Sequence, residues 1–477
     1  MGDHAPFLER AFALDLSEQD YAIDTIEGKL PPFIQGTYYV NGPARFTTPS
    51  GWQYRHWLDG DGMVCALRFA SGQVQFINRF VRSTKFAEEE VAGHPLFRTF
   101  GTTFEGDQLK RGIALESPVN VSVYSHAGKL LAFGEQGLPW ELDPLTLETR
   151  GVHTFGGRLN EVSPFSAHPK VDPVTGEMWN FGIAFSATNP QLHVYCIDMH
   201  GELCYRKRHR IDYPCSMHDC GLSPSYLVCY LSPYLLDMAV MTQEGQTLMD
   251  ALRWEPERGS QLLLVSRETG DAVASLPIGQ RYCLHLINCF ETKDHLVVDV
   301  VEYDEPIYDQ YQTIPALFTD VREAQPVRFV IDRQQHTAIE RQALPSRLAP
   351  DFPTVAPASA TRPYQDFWML SMGAPGKRGR KFFNQLVHAN WQVGTACDVY
   401  QAPPNCYLGG EPVFVGSPQQ ADVGVIVCQV FDAERTVSAF ALFDAFQVAR
   451  GPVALLHLRD PIPPLFHASF QPEQTQA

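Results

Sequence analysis

Apolar residues in this chain come in short runs. From Gly36 onward, segments rich in β-branched and aromatic side chains are closed by turn residues at intervals of roughly 8 to 15 positions, the pattern of successive β-strands. Thr37 to Val40 runs into Asn41-Gly42-Pro43, Val64 to Phe69 into Ser71-Gly72, and Leu192 to Ile197 into Met199-His200-Gly201. Leu130 to Phe133, Leu262 to Val265, Leu296 to Val301, Val425 to Phe431 and Val437 to Phe443 have the same character. Helical periodicity is sparse. Residues 243–254, with Leu248 and Leu252 on one face, and residues 88–97 are the stretches that suggest helices. Many strands without intervening helices argue against a parallel α/β sheet and for an all-β sandwich, barrel or propeller. There is no strict repeat and no linker, so one domain over residues 1–477 is expected.

Composition narrows this picture a little. The 36 prolines and 35 glycines among 477 residues are spread between the apolar runs, as turn punctuation. A net charge of −17 sets nucleic acid aside, because binding phosphates requires positive charge to displace counterions. The 11 cysteines form no CxxC pair, and MGDHAPFLERAF lacks the form of a secretory signal, so a cytoplasmic protein with buried, reduced thiols is expected. No run of about 18 apolar residues is present. The nearest is Tyr226 to Met241, YLVCYLSPYLLDMAVM, broken by Ser232-Pro233 and carrying Asp237. It suits either a buried element or a peripheral contact with a membrane leaflet.

Candidate chemistry centres on histidine. His168 opens the stretch SAHPKVDPVTGEMWNFG, in which Pro173 and Gly176 specify a tight turn between strands. His218 in CSMHDCG, His285 in YCLHLIN and His467 in PLFHASF also lie in β-type runs, as do His193, His388 and His457. A single histidine of this kind is more often a core residue bonded to a carbonyl than a ligand. In a radial architecture, however, residues far apart in sequence converge on the axis, where imidazoles suit iron, zinc or copper. Four imidazoles close a tetrahedral zinc site but leave two positions open on six-coordinate Fe(II). Ligating histidines also need a partner for the second ring nitrogen, and Glu135 and Glu411 stand in apolar contexts that fit this need.

At these residues the chain resembles the carotenoid cleavage oxygenase family, which includes apocarotenoid dioxygenases, the retinal pigment epithelium isomerase and lignostilbene dioxygenases. GTYYVNGPARF and HWLDGDGMVCALRF resemble its opening signatures, and GEQGLPWELDPLTLET the block with its first supporting glutamate. SAHPKVDPVTGEMWNFG, SMHDCGLSPSYLV, LHLINCFE and IPPLFHASF resemble the four ligand blocks, in a motif-bearing core of about residues 31–470. The resemblance implies a seven-bladed β-propeller with Fe(II) on its axis and a roof of loops and short helices. His168, His218, His285 and His467 would bind iron, with Glu135 supporting His218 and Glu411 supporting His467. The third supporting acid, usually a glutamate, is Asp351 in Ala349-Pro350-Asp351-Phe352-Pro353. Being one methylene shorter, Asp351 is expected to reach His285 by a backbone shift or through a water. The family assigns no supporting carboxylate to His168, which strand and turn alone are expected to hold.

The implied reaction is O2-dependent cleavage of a C=C bond in a carotenoid or apocarotenoid to two carbonyl products, with no side chain acting as acid or base. A stilbene- or phenylpropanoid-cleaving enzyme and a catalytically impaired, lipid-binding propeller are the alternatives. Stilbene-cleaving members place a phenol-binding lysine where this chain has Gly134, which favours an apolar polyene. His56, Asp59 and Asp61, in the DGDG turn, are read as structural.

Overall fold

The computed structural model describes residues 4–186, 188–307, 312–345, 347–392, 394–420 and 422–473. Its strands form seven sheets of four or five strands, together with one two-stranded sheet, among the described residues. The chain is a seven-bladed β-propeller. In chain order the blades span residues 122–152, 170–210, 220–279, 282–343, 350–401 and 406–457 with 26–28, and the seventh combines 19–22 and 36–80 with 468–472. The inner strands are Ser122–His126, Lys170–Val171, Cys220–Leu222, Tyr282–Glu291, Pro350–Val355, Cys406–Gly416 and Ala468–Pro472. These strands stand beside one another around the axis.

Ring closure comes from pairing early strands with late ones. Ala468–Pro472 lies antiparallel to Gly36–Arg45, and Ile26–Gly28 pairs with Pro452–His457. Strand Gly36–Arg45 runs through Asn41-Gly42-Pro43, which the sequence suggested as a turn. Two interactions hold it straight there. The Asn41 amide donates to the Val119 and Ser122 carbonyls of the first blade, at 3.0 Å each. A Cβ on Gly42 would meet the Leu465 backbone at 2.6 Å, so only glycine allows this close approach.

The apolar runs named from sequence all lie in strands, with Leu192–Ile197 inside Gln191–Ile197 and Val425–Phe431 inside Gly424–Asp432 as examples. The helices differ from expectation. One spans Thr84–Ala92, not 88–97: Ser83 caps its start by accepting from Phe86 N–H, and Gly93, at φ 74°, ends it. The other spans Met238–Thr242, capped by Asp237, while the expected helix at 243–254 is a set of turns followed by strand Leu252–Trp254. Gly245, at φ 71°, and pairing of Leu252–Trp254 with Tyr234–Leu236 override the weak helical periodicity. The connections 81–121 and 232–259 cover one end of the propeller and contribute Phe100, Leu115, Met238 and Met241 to the cavity beneath.

The stretch from Tyr226 to Met241 is mostly interior. Tyr226–Leu231 is a strand within the third blade, residues 227–236 are buried, and Met238 to Val240 are half-buried. Residues 227–236 pack their apolar side chains against neighbouring strands, so the half-buried part of this stretch is Tyr226 and residues 237–240. No helix among the described residues is long and apolar enough to cross a membrane.

Candidate metal centre

His168, His218, His285 and His467 come from four different blades. Three sit just before or at the start of an inner strand, and His285 lies within Tyr282–Glu291. All four are buried, and one ring nitrogen from each lies within 4.8 Å of the others. The His168 and His218 Nε2 atoms are 2.8 Å apart. The turn after His168 is the one the sequence suggests: Gly176, at φ 71°, closes it through Gly176 N–H to Asp172 O. Arg267 of the third blade then clamps that turn by ion pairs to Asp172 and Glu177 at 2.7 and 2.8 Å.

The outer ring nitrogens are held by carboxylates. His218 Nδ1 is 2.9 Å from Glu135, His285 Nδ1 is 2.5 Å from Asp351, and His467 Nδ1 is 3.3 Å from Glu411. Each carboxylate fixes the proton on Nδ1, so the Nε2 lone pair faces the axis. Asp351 reaches His285 directly, by a backbone shift. The register of its strand slips between Asp351 and Thr354, and Phe352 takes a φ of 52°. No water is needed to span the shorter side chain. His168 has no carboxylate within hydrogen-bond distance; that of Asp219 stands 4.0 Å from its Nδ1.

The electrostatics are those of a site built for a cation. Burial, followed by the neighbouring imidazoles, pushes the pKa values of His168 and His285 well below the usual histidine range. Burial also opposes charge on His218, but Glu135 outweighs it and the pKa is raised. Burial lifts Asp351 to about 6 against the pull of Phe352 N–H and the histidines. His285 Nε2 is buried with no hydrogen-bond partner. The 2.8 Å between the His168 and His218 Nε2 atoms is the spacing of either a shared proton or two lone pairs on one positive centre. Adjacent ligands on an octahedral metal with bonds of about 2.1 Å would stand about 3 Å apart, and opposite ones about 4.2 Å. One pair stands at 2.8 Å, near the adjacent spacing, and all four nitrogens lie within 4.8 Å of one another. Donors of this kind suit a first-row transition metal.

A cavity of about 390 Å³ reaches the site, and His218, His285 and His467 line it. Its walls are mainly apolar, with Phe165, Phe181, Phe352 and Phe466 near the histidines. Polar residues interrupt the lining, among them Lys110 and Glu116, an ion pair at 3.2 Å. Burial raises the Glu116 pKa above the usual range. Gly134 admits no side chain, since a Cβ there would meet Ser117 Oγ at 2.0 Å.

The remaining histidines serve elsewhere. His193, His388 and His457 bond to Tyr195, Asp366 and Glu27, away from the axis. His126 is buried and bonds to the Asp198 carbonyl of the second blade. His56 and Asp59 cap a short 3-10 turn at Trp57–Asp59, and Asp61 pairs with Arg45 and Lys85, as structural roles require. Sequence reasoning missed Lys110, Glu116 and Asp219. Only Asp219 carried a signal, as an acid directly after a candidate ligand.

Residues 13–472 match the family model of the retinal pigment epithelial membrane protein. The chain belongs to that family, the carotenoid oxygenases. It is 29% identical over 475 residues to apocarotenoid-15,15'-oxygenase of Synechocystis, covering 97% of this chain and 95% of the other. Isoeugenol monooxygenase of Pseudomonas nitroreducens is 32% identical over 279 residues, 58% of this chain and 57% of that one. The crystal structure of cobalt-substituted Synechocystis apocarotenoid oxygenase superposes with a TM-score of 0.88 at 27% identity, covering 98% of each chain.

Proposed function

We propose that the chain is an Fe(II) oxygenase that uses O2 to cleave a C=C bond of a carotenoid or apocarotenoid into two carbonyl products. The observation that carries this reading is the convergence of four imidazole nitrogens, three of them from histidines that line a mainly apolar cavity. His168, His218, His285 and His467 hold the ion, and Glu135, Asp351 and Glu411 keep three of the ring protons on Nδ1. A bound ferrous ion would supply the activation of O2, which imidazole and carboxylate groups cannot provide alone. The protein's own part is positional. The phenylalanines hold an apolar chain beside the histidines and keep water out, and no side chain is needed as a general acid or base. The atoms balance: one alkene and one O2 give two carbonyl groups.

A second reading is favoured by one specific observation. Lys110 and Glu116 put a charged pair in the cavity wall, where a phenol or hydroxyl could be bound, which suits a propenylphenol or stilbene. The bulk at Gly134 excludes the lysine that stilbene-cleaving members place there, but Lys110 supplies the same charge from another strand connection.

Product analysis decides between the two. The iron-loaded protein is incubated under 18O2 with an apocarotenal, β-carotene, resveratrol and isoeugenol. Labelled aldehydes from the polyenes support the main reading, and products from isoeugenol or resveratrol alone replace it by the second. Lys110→Met should lower kcat/KM for phenolic substrates by about tenfold, the loss of one charge-assisted hydrogen bond, and leave polyenes unaffected.

A further inference from the structure

Asp219 directly follows His218, and its side chain is 1% exposed. Both of its oxygens accept hydrogen bonds. Oδ1 accepts from Cys220 N–H at 2.7 Å and from the Lys170 ammonium at 2.8 Å; Oδ2 accepts from Leu286 N–H at 2.8 Å. Lys170 lies two residues after His168, and Leu286 immediately follows His285. A single carboxylate thus bonds, within two residues of each histidine, to the inner strands that carry His168, His218 and His285. Those strands belong to three successive blades.

His168 is also the histidine that lacks a carboxylate on its second nitrogen. The nearest one to its Nδ1 is Asp219 Oδ1, at 4.0 Å. That is too long for a direct hydrogen bond, but within reach of charge–dipole attraction and of one bridging water. We propose that Asp219 is a positioning residue of the metal centre. It staples the strands of His168, His218 and His285 at one height and gives His168 the carboxylate support that the other three histidines receive directly. Lys170 is its counter-charge, so the staple adds no net charge to a centre that already holds three carboxylates. Replacement by asparagine keeps the shape but turns one acceptor into a donor, which cannot satisfy both Lys170 and Leu286 N–H.

This inference rests on the reading of the four histidines as metal ligands. The test uses the full chain loaded with Co(II), with metal stoichiometry, competition affinity, the visible ligand-field spectrum and thermal stability measured for each variant. Asp219→Asn should weaken Co(II) binding by about 10- to 100-fold and change the band positions or intensities. Lys170→Met, which keeps the carboxylate, should move both in the same direction by less. Asp299→Asn removes an equally buried carboxylate, paired with Arg328 in the fourth blade. It should lower stability but leave affinity and spectrum at wild-type values, which separates positioning from loss of packing. Wild-type affinity and spectrum in Asp219→Asn overturn the proposal; should that variant not fold, the same result in Lys170→Met does so. A wild-type chain that takes up no Co(II) overturns instead the metal reading beneath it.

Discussion

Two buried polar clusters in this propeller look alike in composition and differ in what they leave undone. Beside the helix Thr84–Ala92, the Lys85 ammonium, fully buried, lies 2.9 Å from both Asp61 and Glu89 and over the ring of Tyr54. Glu89 also accepts from Tyr54 OH at 2.7 Å and from Leu96 and Phe97 N–H, while Asp61 takes Arg45 on its other oxygen. Two cations meet two anions, and the acids' oxygens are all used. At the axis, three carboxylates and four imidazoles gather, and among the described residues no cationic side chain bonds to any of the histidines. The Nε2 of His285 and one oxygen of Asp351 are left without partners. A closed network is architecture. An open one, with its four histidines and Asp351 buried, costs stability unless something positive completes it.

The largest effect should come from removing a ligand. His467→Ala is expected to reduce bound iron from one equivalent to background and to abolish alkene cleavage, with the fold retained by circular dichroism. Metal analysis after reconstitution checks it, and a variant that keeps a full equivalent of iron would place the ion elsewhere.

Breaking the closed network should do the reverse. Lys85→Met leaves Asp61 and Glu89 as buried charges short of a partner, at a cost of about 3–5 kcal/mol in unfolding free energy. Iron binding by the folded fraction should stay at wild-type affinity. Denaturant titration measures the first quantity and metal competition the second. If Lys85→Met instead loses iron in proportion to stability, the two clusters are not independent.

A smaller effect is expected from Asp351, which belongs to the open cluster but touches no ion. Asp351→Asn keeps an acceptor for His285 Nδ1–H and removes the charge, so iron affinity should fall by about 10- to 100-fold with little change in stability. The change can be stabilising for the metal-free protein, because burial already pushes the Asp351 carboxyl up to about 6. Opposite signs for stability and affinity are what distinguish a group held for a ligand from one held for the fold.

The sequence disclosed these two clusters unequally. Strands were legible because their signals are local: an apolar run such as Val437 to Phe443 and the turn after it specify each other within a few residues. Asp61 could be read as structural from its own turn. The convergence of histidines spread from residue 168 to residue 467 could not be read from spacing, since it depends on seven blades closing into a ring, and the resemblance of whole motifs had to supply it. Helix positions failed where periodicity was weak and capping decided, as at Asp237 and Gly93. The apolar stretch from Tyr226 to Met241 gave no sign of whether protein or lipid would cover it. Asp219 escaped notice because its partners, Lys170 and Leu286, come from two other blades.

A lone buried histidine supplies the reference for both clusters. His193 lies on the second blade, opposite Arg208 on the neighbouring strand, with Tyr195 OH at 3.3 Å from its Nδ1. Burial, then Arg208 and Arg206, lower its pKa to about 4. Between that value and the unfolded value of about 6.5, the unfolded chain binds more protons than the folded one, so stability rises with pH through this window and is lost as pH falls from 6.5 toward 4. Partial contact with solvent at this edge of the blade limits the contribution to about 1 kcal/mol. His193→Gln should flatten the wild-type decline in unfolding free energy between pH 6.5 and 4 by that amount, without changing iron content at pH 7. A steeper decline in the variant would mean that His193 gains a partner when protonated, and that even an isolated histidine here is part of a network.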